Sequence, residues 1–400
     1  MGEVIIEMFP ADNGDSFLVR CIGDKCTNIL IDFGYEDTYR EFIKPKLLEL
    51  RENGEKLDLV VLTHVDTDHV EGAQFFFEEN GFSINPNIIE VGEVWHNSYR
   101  HLSYSEGKQA LSERDVKKVL RKAQSLPTKN NQRDETKVSI EHGSRIASLL
   151  YNYEYSWNGL FNGNAVISNK NAIELNNDLK LTIITPTALQ LDRLKEHWRT
   201  GLKKIFPGVP LIDDRVFDDA IEFVSHFYPD LGVPNLSEKA SEATGLESIA
   251  DSPFREERSI INASSITFIL DYQGKKILFL ADSQPSIVKS ELERLFGNVT
   301  FPIYFDAIKV SHHGSKANTS KNLLDLICSD KYLISTNGNK YGHPHLETLA
   351  RLVVRDSNKK NIYFNYETES SLRFSQEEWL REFKYSVITA EPNKSSIIII

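Results

Sequence analysis

The chain has 400 residues, 40% apolar and 26% charged, enough to bury a sizeable core and too evenly mixed for a fibrous or low-complexity class. Its formal net charge of −12 argues against broad, non-specific duplex binding, although a local basic patch could still hold a nucleic acid. Three cysteines, an odd number, argue against a disulfide framework. Cys21 and Cys26 flank a hairpin turn and read as two thiols in a reducing cytosol, since no second Cys/His pair has zinc-site spacing. The opening residues lack a signal peptide's basic region and long apolar stretch, and no apolar run, including 397–400, approaches membrane-spanning length. A cytoplasmic protein with no membrane partner is expected.

Residues 4–9, 17–22 and 28–33 are rich in β-formers and bounded by Gly, Asp and Asn, as strands are. Residues 37–53 read as a helix interrupted at Pro45. Residues 57–62 form a nearly continuous apolar run, as a strand buried on both faces requires. A helix over 70–79 ended by Gly81 follows, then a strand over 88–95. From 97 to about 259 the chain reads as mostly helical or irregular, with one good strand over 179–185. Residues 100–137 hold ten Lys/Arg against five Asp/Glu, and 213–222 and 238–257 are acidic and polar, the last reading equally well as a mobile loop. Strands are expected again over 265–271, 276–280, 305–310, 332–335 and 361–365. The two ends echo one another: each carries a hairpin whose second strand delivers an Asp at its C-terminal end, Asp32 in one and Asp282 in the other.

The strongest chemical signal is Thr63-His64-Val65-Asp66-Thr67-Asp68-His69. Two imidazoles and two carboxylates leave a buried strand in one tight loop before a helix, and such a cluster is costly to hold together without a cation. His96, at the end of the 88–95 strand, is the best placed further histidine, with His101 a weaker one. His142, His197 and His226 read as structural or exposed.

His64-x-Asp66-x-Asp68-His69 followed by Gly72 resembles the metal-binding motif of metallo-β-lactamase-fold hydrolases, with Asp66 where the usual form has His. That variant is similar to the soluble hydrolase domain of ComEC-type DNA-uptake proteins and their stand-alone relatives. Asn13-Gly14-Asp15-Ser16, Asp32, Asp282, Ser311-His312-His313-Gly314-Ser315 and Tyr341-Gly342-His343-Pro344-His345 match further elements, while the middle of the chain is not covered. The resemblance implies an α/β four-layer αββα sandwich with a large, mainly helical insertion. Residues 1–96 and 259–400 would be its halves, and 97–258 an insertion that covers the site or meets a protein partner. It also implies two divalent ions, zinc or manganese, with iron possible. His64 and Asp66 would hold the first, Asp68 and His69 the second, and Asp282 would bridge with its two oxygens, Asp32 orienting the loop. His96 would be the third-motif ligand. His312, which continues the alternation of Ile308 and Val310, would complete the second ion while His313 faces substrate; the opposite assignment stays open.

A metal-bound water with its pKa lowered toward about 7 would supply hydroxide, Asp66 or Asp68 assisting as base and His313 or His343 protonating the leaving group. Phosphodiester hydrolysis is the expected reaction, on a single strand or a nucleotide, with residues 100–137 as a binding arm that offers Tyr99 and Tyr104 for stacking. The same fold carries ester, thioester, lactone and amide hydrolysis, and non-haem iron oxidation. A fourth alternative is a metal-stabilised binding or regulatory subunit, as in a defence-type complex.

Overall fold

The computed structural model describes residues 2–102, 146–205, 208, 245–355 and 358–400. Its strands are β1 (Glu3–Met8), β2 (Phe17–Ile22), β3 (Cys26–Ile31), β4 (Leu59–Val61), β5 (Val94–Trp95), β6 (Ile173–Asn176), β7 (Leu179–Thr185), β8 (Thr267–Tyr272) and β9 (Lys275–Phe279). They continue as β10 (Ile303–Phe305), β11 (Ala307–Lys309), β12 (Ile327–Ser329), β13 (Lys331–Ile334), β14 (Lys360–Phe364), β15 (Tyr385–Thr389) and β16 (Ser396–Ile399). One sheet runs β16-β1-β2-β3-β4-β5, a second runs β15-β14-β13-β11-β9-β8-β7-β6, and β10 pairs separately with β12.

Alternation along the strands produces the layers. In β2 and β3, Phe17, Val19, Ile29 and Ile31 point into a core shared with Leu181, Phe268, Ile277 and Phe279 of the second sheet. The intervening Leu18 and Leu30 point the other way, onto a core with the helices α1 (Lys44–Glu52) and α2 (Thr67–Asn80), through Leu47, Phe76 and Phe77. On the far side Leu278, Ile308 and Ile334 meet Leu292 and Leu349 of α4 (Pro285–Phe296) and α5 (Leu346–Val354), a further helix, α3 (Ala188–Ile205), preceding them in the chain. A strand of period two between two apolar layers must be apolar at every position, which explains the unbroken runs of β4 and of residues 277–279 in β9. The expected αββα sandwich is what forms.

Three local expectations change. Pro45 does not break the helix: Glu36–Thr38 passes through a π turn, Tyr39–Ile43, into α1, where Pro45 takes a first-turn position that needs no donor N–H. The strand over 88–95 is only β5 plus an isolated bridge between Leu57 and Val91. Residues 305–310 divide between β10 and β11, which belong to different sheets. The 179–185 strand is β7, antiparallel to β8 in the second sheet. The final strand, β16, returns to pair with β1, so the first sheet draws on both ends of the chain. The thiols flank the β2–β3 turn as expected, and burial pushes Cys21 up to about 12 and Cys26 up to about 11.

Residues 103–137 of the basic stretch, Tyr104, His142, His226, the acidic 213–222 and residues 238–244 of the second acidic stretch lie outside the described residues. No helix among the described residues is long and apolar enough to cross a membrane.

Candidate metal centre

Parallel pairing brings the C-terminal ends of β3 and β4 together in one sheet, and those of β9, β11 and β13 together in the other. Asp32 follows β3, His64 follows β4, Asp282 follows β9, and His312 and His313 follow β11. Residues distant in sequence thus meet at one edge of the sandwich. The turns that aim them are tight: Asp32, Ala281, His312 and His313 have φ of 55°, 45°, 47° and 53°. Positive φ in non-glycine residues costs energy and persists where the surroundings impose it, commonly at functional sites.

The His312-His313 turn changes the sequence expectation. Alternation assumes extended backbone, and both histidines leave it. His313 is buried and its Nε2 lies 3.6 Å from Asp68 Oδ2 and 3.5 Å from Asp282 Oδ2. His312 keeps 21% of its side chain exposed, with Nε2 3.6 Å from the same Asp282 oxygen. His69 Nε2 is 3.5 Å and His64 Nε2 3.9 Å from Asp282 Oδ2. Four imidazole nitrogens therefore converge on one oxygen. His64 Nε2 is also 3.5 Å from Asp66 Oδ2, on the more exposed side of the cluster.

Each buried ring has its other nitrogen committed. His69 Nδ1 lies 2.8 Å from Asp32 Oδ2, His313 Nδ1 3.0 Å from the Ser335 carbonyl, and His64 Nδ1 3.0 Å from Thr63 Oγ1. Asp32 also accepts the Thr63 N–H at 2.8 Å and the Thr63 hydroxyl at 2.7 Å, so the hydroxyl oxygen is free to accept from His64. With Nδ1 donating, each ring in its neutral form turns the lone pair of its Nε2 toward the cluster. The buried Nε2 atoms of His64, His69 and His313 have no hydrogen-bond partner within the protein. Buried polar atoms without partners are costly, and three that converge beside carboxylates fit a metal.

Three donor groups have ligand atoms within 4.8 Å of one another: His64, His69 and Asp282; Asp68, His69 and His313; and Asp15, Asp32 and His69. The third is already used, Asp32 by Thr63 and His69 and Asp15 by an ion pair with Lys309. The first two share His69; the first includes Asp282, and the His313 of the second also reaches Asp282 Oδ2.

His96 is in none of these groups. It follows β5, the strand beyond β4 at the edge of its sheet, and its ring stacks on Trp157 at 6.0 Å while its carbonyl accepts from the Trp157 indole and Asn158. The expected third-motif ligand is therefore not brought to the cluster. His101 is held neutral, lowered to about 3 by burial and by His96 and Arg100, with its Nδ1 accepting from the Ser98 N–H. Tyr99, expected to be available for stacking, is buried.

The outer wall is built of His312, His343 and His345. His312 Nδ1 lies 3.1 Å from Glu257 Oε2 and 3.0 Å from Asn318 Oδ1. Burial would lower its pKa, but Glu257 and Asp282 outweigh it and hold it up to about 10. His343 is shifted the other way, well below its usual value, by burial and then by His312, His345 and His313. Neutral at ordinary pH, His343 is a poorer proton source than the sequence suggested, and its ring lies 5.3 Å from that of His312. His345 is likewise lowered to about 4, first by burial, and accepts from the Lys316 N–H.

Sequence reasoning missed Lys309, Glu257 and Asn318, and read Asp15 only as part of a hairpin motif. Lys309 had a signal: a cation in the apolar text Ala307-Ile308-Lys309-Val310 needs a buried anion. Glu257 had none, since it sits in acidic, polar text.

Gly14 permits the close approach of the first hairpin loop to α2. A Cβ there would lie 1.9 Å from the Asp68 carbonyl oxygen, which also accepts the Asp15 N–H. Gly14→Ala is expected to destabilise the chain by about 1–3 kcal/mol through overpacking. Urea denaturation measures this, and an unchanged midpoint would mean that the loop moves freely away.

Layers of helix, sheet, sheet and helix with imidazoles and carboxylates at one edge define the class: this is the metallo-β-lactamase fold. The model of the Metallo-beta-lactamase superfamily matches residues 10–130, which include Asp32 and the His64–His69 loop but neither Asp282 nor the His312-His313 pair. No curated protein matches the chain.

Proposed function

We propose that the chain is a metal-dependent hydrolase that cleaves phosphodiesters, in single-stranded nucleic acid or a nucleotide-like molecule. The superfamily match and the donor groups support metal-dependent hydrolysis. The observation that carries the finer reading is the division of donors about Asp282 Oδ2. His64 and Asp66 would hold one ion, Asp68, His69 and His313 the other, with Asp282 between them. Zinc and manganese both suit such a set, and its carboxylates favour manganese. Two divalent ions, when bound, supply a water of lowered pKa and neutralise charge on both oxygens of an in-line displacement.

The chain's own residues do the rest. Asp32, Thr63 and Ser335 fix the rings that would carry the ions. His312, oriented by Glu257 and Asn318 and partly exposed, holds a proton at Nε2 for the leaving oxygen. The likeness of the two His-rich motifs to ComEC-type hydrolases adds to this reading, and the ten Lys/Arg of residues 100–137 are the candidate arm for an anionic strand.

One observation favours a second reading. The cleft beside the cluster is lined by Asp12, Glu36, Asp37 and Glu71, and Asn13 on its wall donates to Asp68 at 3.1 Å. Four carboxylates repel a polyanion and would suit the uncharged body of an ester or lactone. Both readings meet one test: metal-stripped protein refilled with manganese or zinc, given bis(p-nitrophenyl) phosphate and p-nitrophenyl acetate, with His69→Ala as control. Diester cleavage that returns with metal and is lost by at least about a hundredfold in the control is expected. Metal-dependent cleavage of the ester alone would replace the first reading with the second.

A further inference from the structure

Lys309 is a lysine with 1% of its surface exposed, inside the strand that precedes the histidine pair. Its ammonium has three N–H donors and three acceptors around it. It is paired with Asp15 Oδ2, donates to the Ala281 carbonyl at 3.1 Å, and stands 3.7 Å from Asp282 Oδ1. The last contact is on the opposite oxygen from the four imidazoles, all of which approach Oδ2. Asp282 Oδ1 has no hydrogen-bond partner, so the ammonium is what faces it.

Building on the two-ion reading above, we infer that Lys309 is a positioning residue that divides the work of the Asp282 carboxylate. It holds Oδ1 and leaves Oδ2 alone for the ions. The sequence suggested a bridge that uses both oxygens; the placement of Lys309 assigns it to one. A carboxylate free to turn about its last torsion can give both oxygens to a single cation, which leaves the other cation short of a ligand. An ammonium at 3.7 Å, itself held by Asp15 and by the Ala281 carbonyl, opposes that rotation. Because Ala281 is the residue before Asp282, the same contact also braces the φ of 45° that aims the turn.

The test uses the full chain, stripped of metal and refilled with manganese, with metal counted by mass spectrometry and ion coupling read by electron paramagnetic resonance. Lys309→Met leaves Asp15 buried without its partner and risks misfolding. Lys309→Met/Asp15→Asn removes both charges and keeps an oxygen for His313 Nδ1, which lies 3.2 Å from Asp15 Oδ1. In the double variant, with wild-type circular dichroism, bound manganese is expected to fall about twofold and the coupled spectrum to give way to isolated Mn(II). A double variant that keeps the wild-type manganese content and coupling overturns the inference, and shows that Lys309 serves Asp15 alone. A wild-type chain that takes up no manganese or zinc overturns the metal reading itself, so the two failures are told apart.

Discussion

Asp32→Ala is expected to lower the stability of the metal-free chain by about 3–5 kcal/mol, as breaking a buried charged network does, and to abolish metal uptake. The side chain is buried and accepts from the Thr63 N–H, the Thr63 hydroxyl and His69 Nδ1 at 2.7–2.8 Å. Truncation leaves three buried donors unmatched at about 1–3 kcal/mol each, partly relieved by relaxation. It also frees His69 to turn its ring and Thr63 to reorient its hydroxyl, so two Nε2 atoms lose their aim together. Asp32→Asn separates the causes. Asparagine tolerates the φ of 55° as aspartate does, but its NH2 must face one of three donors. It is expected to lose most of the same stability, whereas a purely conformational role would leave it near wild type. Urea denaturation in chelator, followed by metal titration, measures both effects. An Asp32→Ala midpoint within about 1 kcal/mol of wild type would remove Asp32 as the hub.

The contrast between Asp32 and His96 marks what the sequence could say. Both are polar residues at the end of a strand in the same sheet. Asp32 was legible because β3 is a full strand in a tight hairpin, with a register set by the alternation of Phe17, Val19, Ile29 and Ile31. His96 falls outside the donor groups because its position depends on β5, which is two residues long and placed by the bridge of Leu57 to Val91 and by packing on Trp157. None of that is periodic in the sequence. The sequence left the His312-His313 order open for a related reason. Alternation extrapolates extended backbone, and two consecutive residues of positive φ follow β11. The layers, the echo of the two hairpins and the His64–His69 loop were readable, since each follows from local pattern. Lys309, Glu257 and Asn318 act through tertiary contacts with residues 55 to 294 positions away or with their own turn, so only the folded chain brings them to the centre.

Removal of metal should lower the thermal midpoint of the wild-type chain, and refilling should restore it. The direction follows from the site. Three Nε2 atoms are buried without partners, and Asp282 is surrounded by imidazoles that can share only protons with it until a cation arrives. In the metal-free chain the carboxylates Asp282 and Asp32 overcome burial and raise the pKa of His69 well above its usual value. That proton must leave before Nε2 can bind a metal, so part of the gain on binding is spent on deprotonation. What remains stabilises the folded state by mass action, about 4 kcal/mol at a free ion concentration a thousandfold above Kd. Differential scanning calorimetry with and without chelator, and with manganese or zinc restored, measures it. His69→Ala should make the midpoint nearly indifferent to metal, because that ring belongs to both donor groups that remain open. A wild-type midpoint that chelator leaves unmoved, with metal retained by assay, would place the ions outside this cluster. The paired fall of stability and of diester cleavage, both restored by the same ion, would tie the chemistry to it.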